Sequence, residues 1–200
     1  DATAGYWNPA GLLHVKDKYA VTLMHSENFA GIVQNAYLAF STEYDSTSRI
    51  GISVIRVGVD DIPNTINLID DNGVINYDNV TSFGVSDYAF IGSYAKKSNL
   101  LKGLSLGVNA KIIYRHVGPF ANAWGVGMDV GGQFERKGWQ FGLMARDITT
   151  TTTYWTYNTS LVEDVFLATN NDIPQNSAEI ALPRLVFGVG KEFIIKDKFY

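Results

Sequence analysis

The sequence predicts an all-β fold, a transmembrane antiparallel β-barrel, from three observations. Long segments alternate with a period of two, short turns at one end face long loops at the other, and no apolar run is long enough for a membrane helix. From residue 102 to 147 three consecutive segments alternate. In the first, Leu104, Leu106, Val108, Ala110, Ile112 and Tyr114 take one side, while Ser105, Gly107, Asn109, Lys111 and Arg115 take the other. The second sets Trp124, Val126, Met128, Val130 and Phe134 against Gly125, Gly127, Asp129, Gly131, Gln133 and Glu135. The third sets Trp139, Phe141, Leu143 and Ala145 against Gln140, Gly142, Met144 and Arg146. Successive side chains of a strand point to opposite faces, so each segment has one apolar and one polar face. Tilted strands of about ten residues have this pattern in a bilayer. A membrane helix needs about 18 uninterrupted apolar residues, and the chain has no such run.

The elements follow in order as about eight strands, at 18–25, 33–44, 49–58, 86–96, 103–116, 123–134, 139–147 and 184–193. Connections after the second, fourth and sixth strands are short and polar, at 45–48, 97–102 and 135–138, whereas long loops occupy 59–85 and 148–183. Outer-membrane barrels have short periplasmic turns and longer outer loops, which puts Asp1 on the periplasmic side. Loops of this length are uncommon unless they carry function. After the eighth strand, Lys196, Asp197 and Lys198 read as another turn, and Phe199 and Tyr200 as the start of a ninth strand. An unpaired strand edge in lipid costs several kcal/mol per backbone group, so a longer barrel is expected. A soluble β-sandwich with two long loops is the competing reading.

Composition fits either architecture. The chain has 200 residues, 46% hydrophobic and 18% charged, with mean hydropathy −0.02, averages in which a barrel's interleaved residues are hidden. Its 11 Tyr, 11 Phe and 4 Trp suffice for interfacial girdles, although a sandwich core would also use them. A net charge of −4 and a pI near 5.3 without a Lys/Arg cluster exclude a nucleic-acid footprint. The absence of Cys removes disulfides, thiolate metal sites and cysteine nucleophiles. No basic segment followed by an apolar one opens the chain, so any secretion signal is expected to precede Asp1.

Catalytic and metal motifs are weak. Residues 103–107 match the G-x-S-x-G string of a hydrolase, but that chemistry needs a strained strand-to-helix turn, and here alternation runs straight through Ser105. Gly125, Gly127 and Gly131 lie in a strand with no helix to receive a pyrophosphate, and read as lumen-facing. His14, His25 and His116 show no metal spacing. Asp60, Asp61, Asp70, Asp71, Asn72 and Asp78 crowd one loop without the spacing of a calcium site, and turn formation explains most of them. No enzyme activity and no cofactor is expected.

Two local signals and one network remain. Asn8, Pro9, Ala10 and Gly11 form a turn or helix entry, in which Asn caps, Pro presets φ and Gly permits a reversal. Five consecutive threonines, 149–153, favour extended chain standing above the membrane. If the fifth and sixth strands pair symmetrically about Phe120, Lys111 falls opposite Asp129. A tight turn at Arg136 then places Arg146 diagonal to the same carboxylate. The expectation is a Lys111, Asp129, Arg146 network in the lumen; the alternative is loose pairing with lumen water.

Several blocks carry a family resemblance. The opening DATAGYWNPAGL resembles the N-terminal segment of FadL-type outer-membrane barrels. GISVIRVGVDDIPNT at 51–65, KIIYRHVGPFANAWGVGMDVG at 111–131, ARDITTT at 145–151 and IALPRLVFGVG at 180–190 resemble the PorV/PorQ family. The resemblance implies a FadL-like barrel of about fourteen strands when complete, of which this chain covers roughly the first eight. It would be a single domain at 1–200, with a plug segment at 1–17 and barrel strands and loops at 18–200. The implied location is the outer membrane of a Bacteroidota-type Gram-negative cell. The implied work is type IX secretion, in which such proteins accept the signal domain of cargo leaving the translocon. Asn8, Pro9, Ala10 and Gly11 would then belong to the plug. Asp60, Asp61, Ile62, Pro63 and Asn64, with Asp147, Ile148 and Thr149, would sit in outer loops that bind cargo or a translocon partner. The alternative from FadL-type ancestry is a passive channel for hydrophobic small molecules, with lipid or detergent in the lumen.

Overall fold

The computed structural model describes residues 1–69 and 73–193. Asp70, Asp71 and Asn72, and the turn and strand expected at 196–200, lie outside the described residues. Alternating sequence folds into strands β1 (Tyr19–Asn28), β2 (Val33–Asp45), β3 (Ser48–Asn64), β4 (Thr81–Lys97) and β5 (Leu104–Val117), then β6 (Ala121–Arg136), β7 (Trp139–Arg146), β8 (Thr151–Tyr157), β9 (Ser177–Ala181) and β10 (Arg184–Lys191). They form one antiparallel sheet in the order β1-β2-β3-β4-β5-β6-β7-β10, with β8 against β6 and β9 against β8. The sheet is not closed.

β8 and β9 fall where a loop is expected. β7 pairs with the turn end of β6, from Val130 to Arg136, and β8 pairs with its other end, from Ala121 to Val126. The two are one crossing, interrupted at residues 147–150, where Asp147 and Thr150 take φ of 55° and 57°. β9 and β10 are likewise one crossing, broken at Leu182 and Pro183, and proline cannot donate to a ladder. The long loop therefore shrinks to residues 158–176, which include the helix Glu163–Ala168. The other shrinks to residues 65–80, because β3 and β4 continue past a bulge between Val59 and Ile62. Asp60, Asp61, Ile62, Pro63 and Asn64 thus belong to β3 and not to a loop, with Asp61 in the left-handed region at φ 57°.

The two faces of the sheet invert the usual arrangement of a water-soluble protein. One carries small and polar residues, and the N-terminal helix α1 (Ala4–Trp7) and the 3₁₀ turn Pro9–His14 lie on it across β3 to β6. The largest fully buried side chains are Leu12, Asn109, Thr151, Pro9, Ser41 and Ser48. The opposite face is apolar and uncovered. Leu23, Leu106, Val126 and Leu143 are 76%, 48%, 63% and 51% exposed, and Ile52, Ile112, Phe141 and Leu185 are exposed beside them. Among the described residues no second layer packs against this face, as a sandwich would require.

Candidate functional site

The N-terminal segment is seated by its own local chemistry. The Asn8 side chain accepts a hydrogen bond from the Ala10 amide at 3.1 Å, and Pro9 occupies the first position of the 3₁₀ turn, where no N–H is needed. The Asn8 amide group donates to the carbonyls of Gly132 (3.3 Å) and Leu143 (3.1 Å), tying the turn to β6 and β7. Gly107 and Gly131 form the floor beneath it. A Cβ at Gly107 would collide with Pro9 and Ala10, and one at Gly131 with the Asn8 carboxamide. Gly11 lies against Gln133, and Leu12 fills the space above Gly51. Close approach is why these strand positions lack side chains.

Beneath this segment the interior charges converge. Lys111 Nζ lies 2.7 Å from Asp129 Oδ1 and 2.5 Å from Asp147 Oδ1. The Asp147 backbone amide donates to Asp129 Oδ1 at 2.9 Å, and the Thr151 hydroxyl donates to Asp147 Oδ1 at 2.6 Å. Asn109 donates to Asp129 Oδ2 (3.2 Å) and to the Gly5 carbonyl (2.9 Å), and accepts from Ser93 (2.7 Å). Arg184 approaches Asp147 at 3.8 Å from a largely exposed position. Two carboxylates share one ammonium here, and neutral donors add hydrogen bonds to both oxygens of Asp129 and to Oδ1 of Asp147, support that buried charge requires.

The structure thus brings Lys111 and Asp129 together but not in the expected register. β5 and β6 pair about Pro119, so Asn109 lies opposite Asp129 and Lys111 reaches it diagonally. Arg146 is not in the network. Its guanidinium donates to the Tyr6 carbonyl at 3.2 Å and lies over the Tyr6 ring at 4.8 Å, which makes it a second tie to the N-terminal segment. Asp147 takes its place and is only 5% exposed, so it is no outer-loop contact residue. Thr149 turns its hydroxyl to the Met128 amide at 3.1 Å, and Ile148 bonds through its amide to the Met128 carbonyl. Both belong to the break between β7 and β8.

Sequence reasoning missed Arg49. Buried to 2% exposure at the start of β3, it donates to the carbonyls of Val15 (3.1 Å), Asp17 (2.6 Å) and Lys18 (3.3 Å), and to Ser41 Oγ (3.3 Å). It clamps the exit of the N-terminal segment to the sheet. The readable signal was its inward parity with Gly51 and Ser53, the same parity that identifies Asn109 beside Lys111. At the loop end, Arg115 pairs with Asp87 (3.1 Å) and Glu179 (2.8 Å) and lies over Trp155, whose ring N–H donates to Glu179 at 3.0 Å.

The motif residues occupy ordinary places. Ser105 is the second residue of β5, paired with Gln133, and the strand runs on from it with no strand-to-helix turn. His14 lies 2.9 Å from Gln133 and 3.8 Å from Glu135, His25 lies 3.4 Å from Glu27, and His116 stacks on Tyr114. Among the described residues no group of three or more His, Cys, Asp or Glu could hold a metal ion. What the arrangement does chemically is positional, fixing the N-terminal segment and the β7–β8 break to the sheet. Asp45, at the aqueous β2–β3 turn, has its carboxyl held down to about 2, first by the Ser48 hydroxyl at 2.6 Å and then by the amide and hydroxyl of Thr47.

Comparison with protein-family models, with curated proteins and with solved structures gives no match.

Proposed function

We propose that this chain belongs to an integral outer-membrane β-barrel of the PorV/PorQ type in a Bacteroidota-type Gram-negative cell, and that it serves type IX secretion by binding cargo or a translocon partner, without covalent chemistry. The observation that carries the membrane reading is the uncovered apolar face. A soluble protein rarely exposes more than a few hundred Å² of contiguous apolar surface, and here whole strands present it. Aromatic residues bracket that face, with Tyr88, Tyr114, Trp124 and Tyr154 toward the loops and Tyr19, Tyr94, Phe134 and Trp139 toward the turns. Trp124 and Phe134 are ten residues apart on β6. At about 3.3 Å per residue and a tilt of about 40°, that separation spans roughly 25 Å, the height of a barrel's apolar band. The open edges β1 and β10 would need further strands to close the barrel.

The partner reading rests on the family resemblance and on the rim formed by residues 65–80 and 158–176. With the bulge at Asp60 and Asp61, these place Asp78, Glu163, Asp164 and Asp172 at one end of the sheet, while Asp147 to Thr149 no longer count as rim. A passive route for hydrophobic solutes is the weaker reading. The groove of about 530 Å³ beside the N-terminal segment presents the polar side chains of His14, Gln133, Glu135 and Gln140. Purification from native membranes after crosslinking tests the proposal, and co-purification of a secretion component or cargo is expected. Extraction into aqueous buffer without detergent as a monodisperse species would end the membrane reading. A membrane protein crosslinked to neither would end the secretion reading alone.

A further inference from the structure

At the short-turn end, two neighbouring hairpins leave cations around an aromatic slab on the apolar face. Phe134 and Phe141 stack with ring centres 6.4 Å apart, Trp139 and Phe141 with centres 6.1 Å apart, and Lys191 Nζ lies 4.6 Å from the Trp139 ring centre. A groove of about 440 Å³ is lined by Phe134, Arg136, Lys137, Trp139 and Phe141. A second, of about 560 Å³, shares Phe134 and Arg136 with it and adds Leu101, Lys102, Gly103 and Glu135. The cleft is fixed by the Glu135 amide, which donates to the Gly103 carbonyl at 3.0 Å. Among the described residues, Lys102, Arg136 and Lys137 form no ion pair. Glu135 instead approaches His14, at 3.8 Å, on the polar face. Lys137 sits at φ 51° in a two-residue turn with Gly138, a position where Asn or Asp is the usual occupant. Here a long cation is held in a backbone conformation that does not favour it.

We propose that this cleft binds a glycerophospholipid with an anionic headgroup. Its phosphate would lie among Lys102, Arg136 and Lys137, and an acyl chain would run along Phe134 and Phe141. Charge complementarity selects the occupant, since unpaired cations on an apolar slab at a membrane interface match a phosphate joined to hydrocarbon. A zwitterionic headgroup leaves that charge uncompensated. The inference rests on the membrane reading above.

The test reconstitutes the full chain into bilayers of mixed phosphatidylglycerol and phosphatidylcholine and measures the lipids it retains by native mass spectrometry. Phosphatidylglycerol should be enriched about tenfold over the bulk ratio, and K102Q/R136Q/K137Q should return the ratio to bulk. A control variant, K16Q/K18Q/K97Q, removes the same charge from the same end and should keep the enrichment, and inorganic phosphate should not displace the lipid. No enrichment, or equal loss in both variants, would overturn the site. Should the first variant fail to insert, salt decides on the unmodified chain: enrichment must fall as salt rises, and insensitivity to salt would refute the proposal. Failure to insert into either lipid would instead strike the membrane reading.

Discussion

Removing the ammonium of Lys111 leaves Asp129 and Asp147 as two buried carboxylates with no shared counter-charge. Breaking one side of a buried ion pair costs about 3–5 kcal/mol, far more than the pair contributes relative to an apolar substitute. Lys111→Ala should therefore lower stability by that amount in urea unfolding, and adding Asp147→Asn should restore part of it. A full-stability K111A variant would contradict the geometry. Asp45 gives a pH-dependent counterpart. Its folded pKa of about 2 lies below the ordinary carboxyl value of 3.8, so its contribution is present above 3.8 and is lost as pH falls through about 2. Asp45→Asn should remove that acid-side slope from a stability-versus-pH curve. At this scale the sequence showed which side chains share a face, because parity is read directly. It did not show which stand opposite, because register depends on the turn. The turn closes through Gly118 at φ 45° with the Phe120 amide bonded to Val117, centring the pairing on Pro119 and shifting every partner from the expected alignment by two.

At the scale of elements, the N-terminal segment and the glycines beneath it are one packing unit. Gly131→Ala forces a methyl group against the Asn8 carboxamide, whereas Gly142→Ala on the same polar face meets nothing within 4 Å. The first should raise amide hydrogen exchange across residues 4–15 by about tenfold or more, through an overpacking cost of about 1–3 kcal/mol, and the second should leave it unchanged. Equal exchange in both variants would refute the seating. The Asn-Pro entry was readable because capping is local chemistry, and the glycines were readable as inward-facing. That one rests on the other was not, since no local pattern encodes a contact between residues 8 and 131. The breaks at 147–150 and 182–183 interrupted the alternation, so β8 and β9 were absorbed into an expected loop. Only the threonine run hinted at extended chain there.

For the whole molecule, the sign of one substitution separates lipid from water. Val130→Arg places a charge near the middle of the apolar band, which costs about 2–4 kcal/mol in a bilayer. The same side chain at exposed Leu100, in a turn, should be neutral, and on a water-facing sheet both would be. Refolding yield into lipid vesicles reports the difference, and equal yields would place water on that face. The all-β antiparallel architecture was legible throughout, because period-two alternation is a property of each strand taken alone. Closure was not, because it depends on partners for the edge strands. The two strand breaks lie side by side, residues 147–150 of one crossing facing residues 182–183 of the next. Backbone ladders resist shear only where they are continuous. The β8–β9 segment is therefore held to the rest of the sheet by its ladder with β6, while toward β7 and β10 it is joined only by the chain at the breaks and the contacts of Asp147, so that β6 alone carries shear past them.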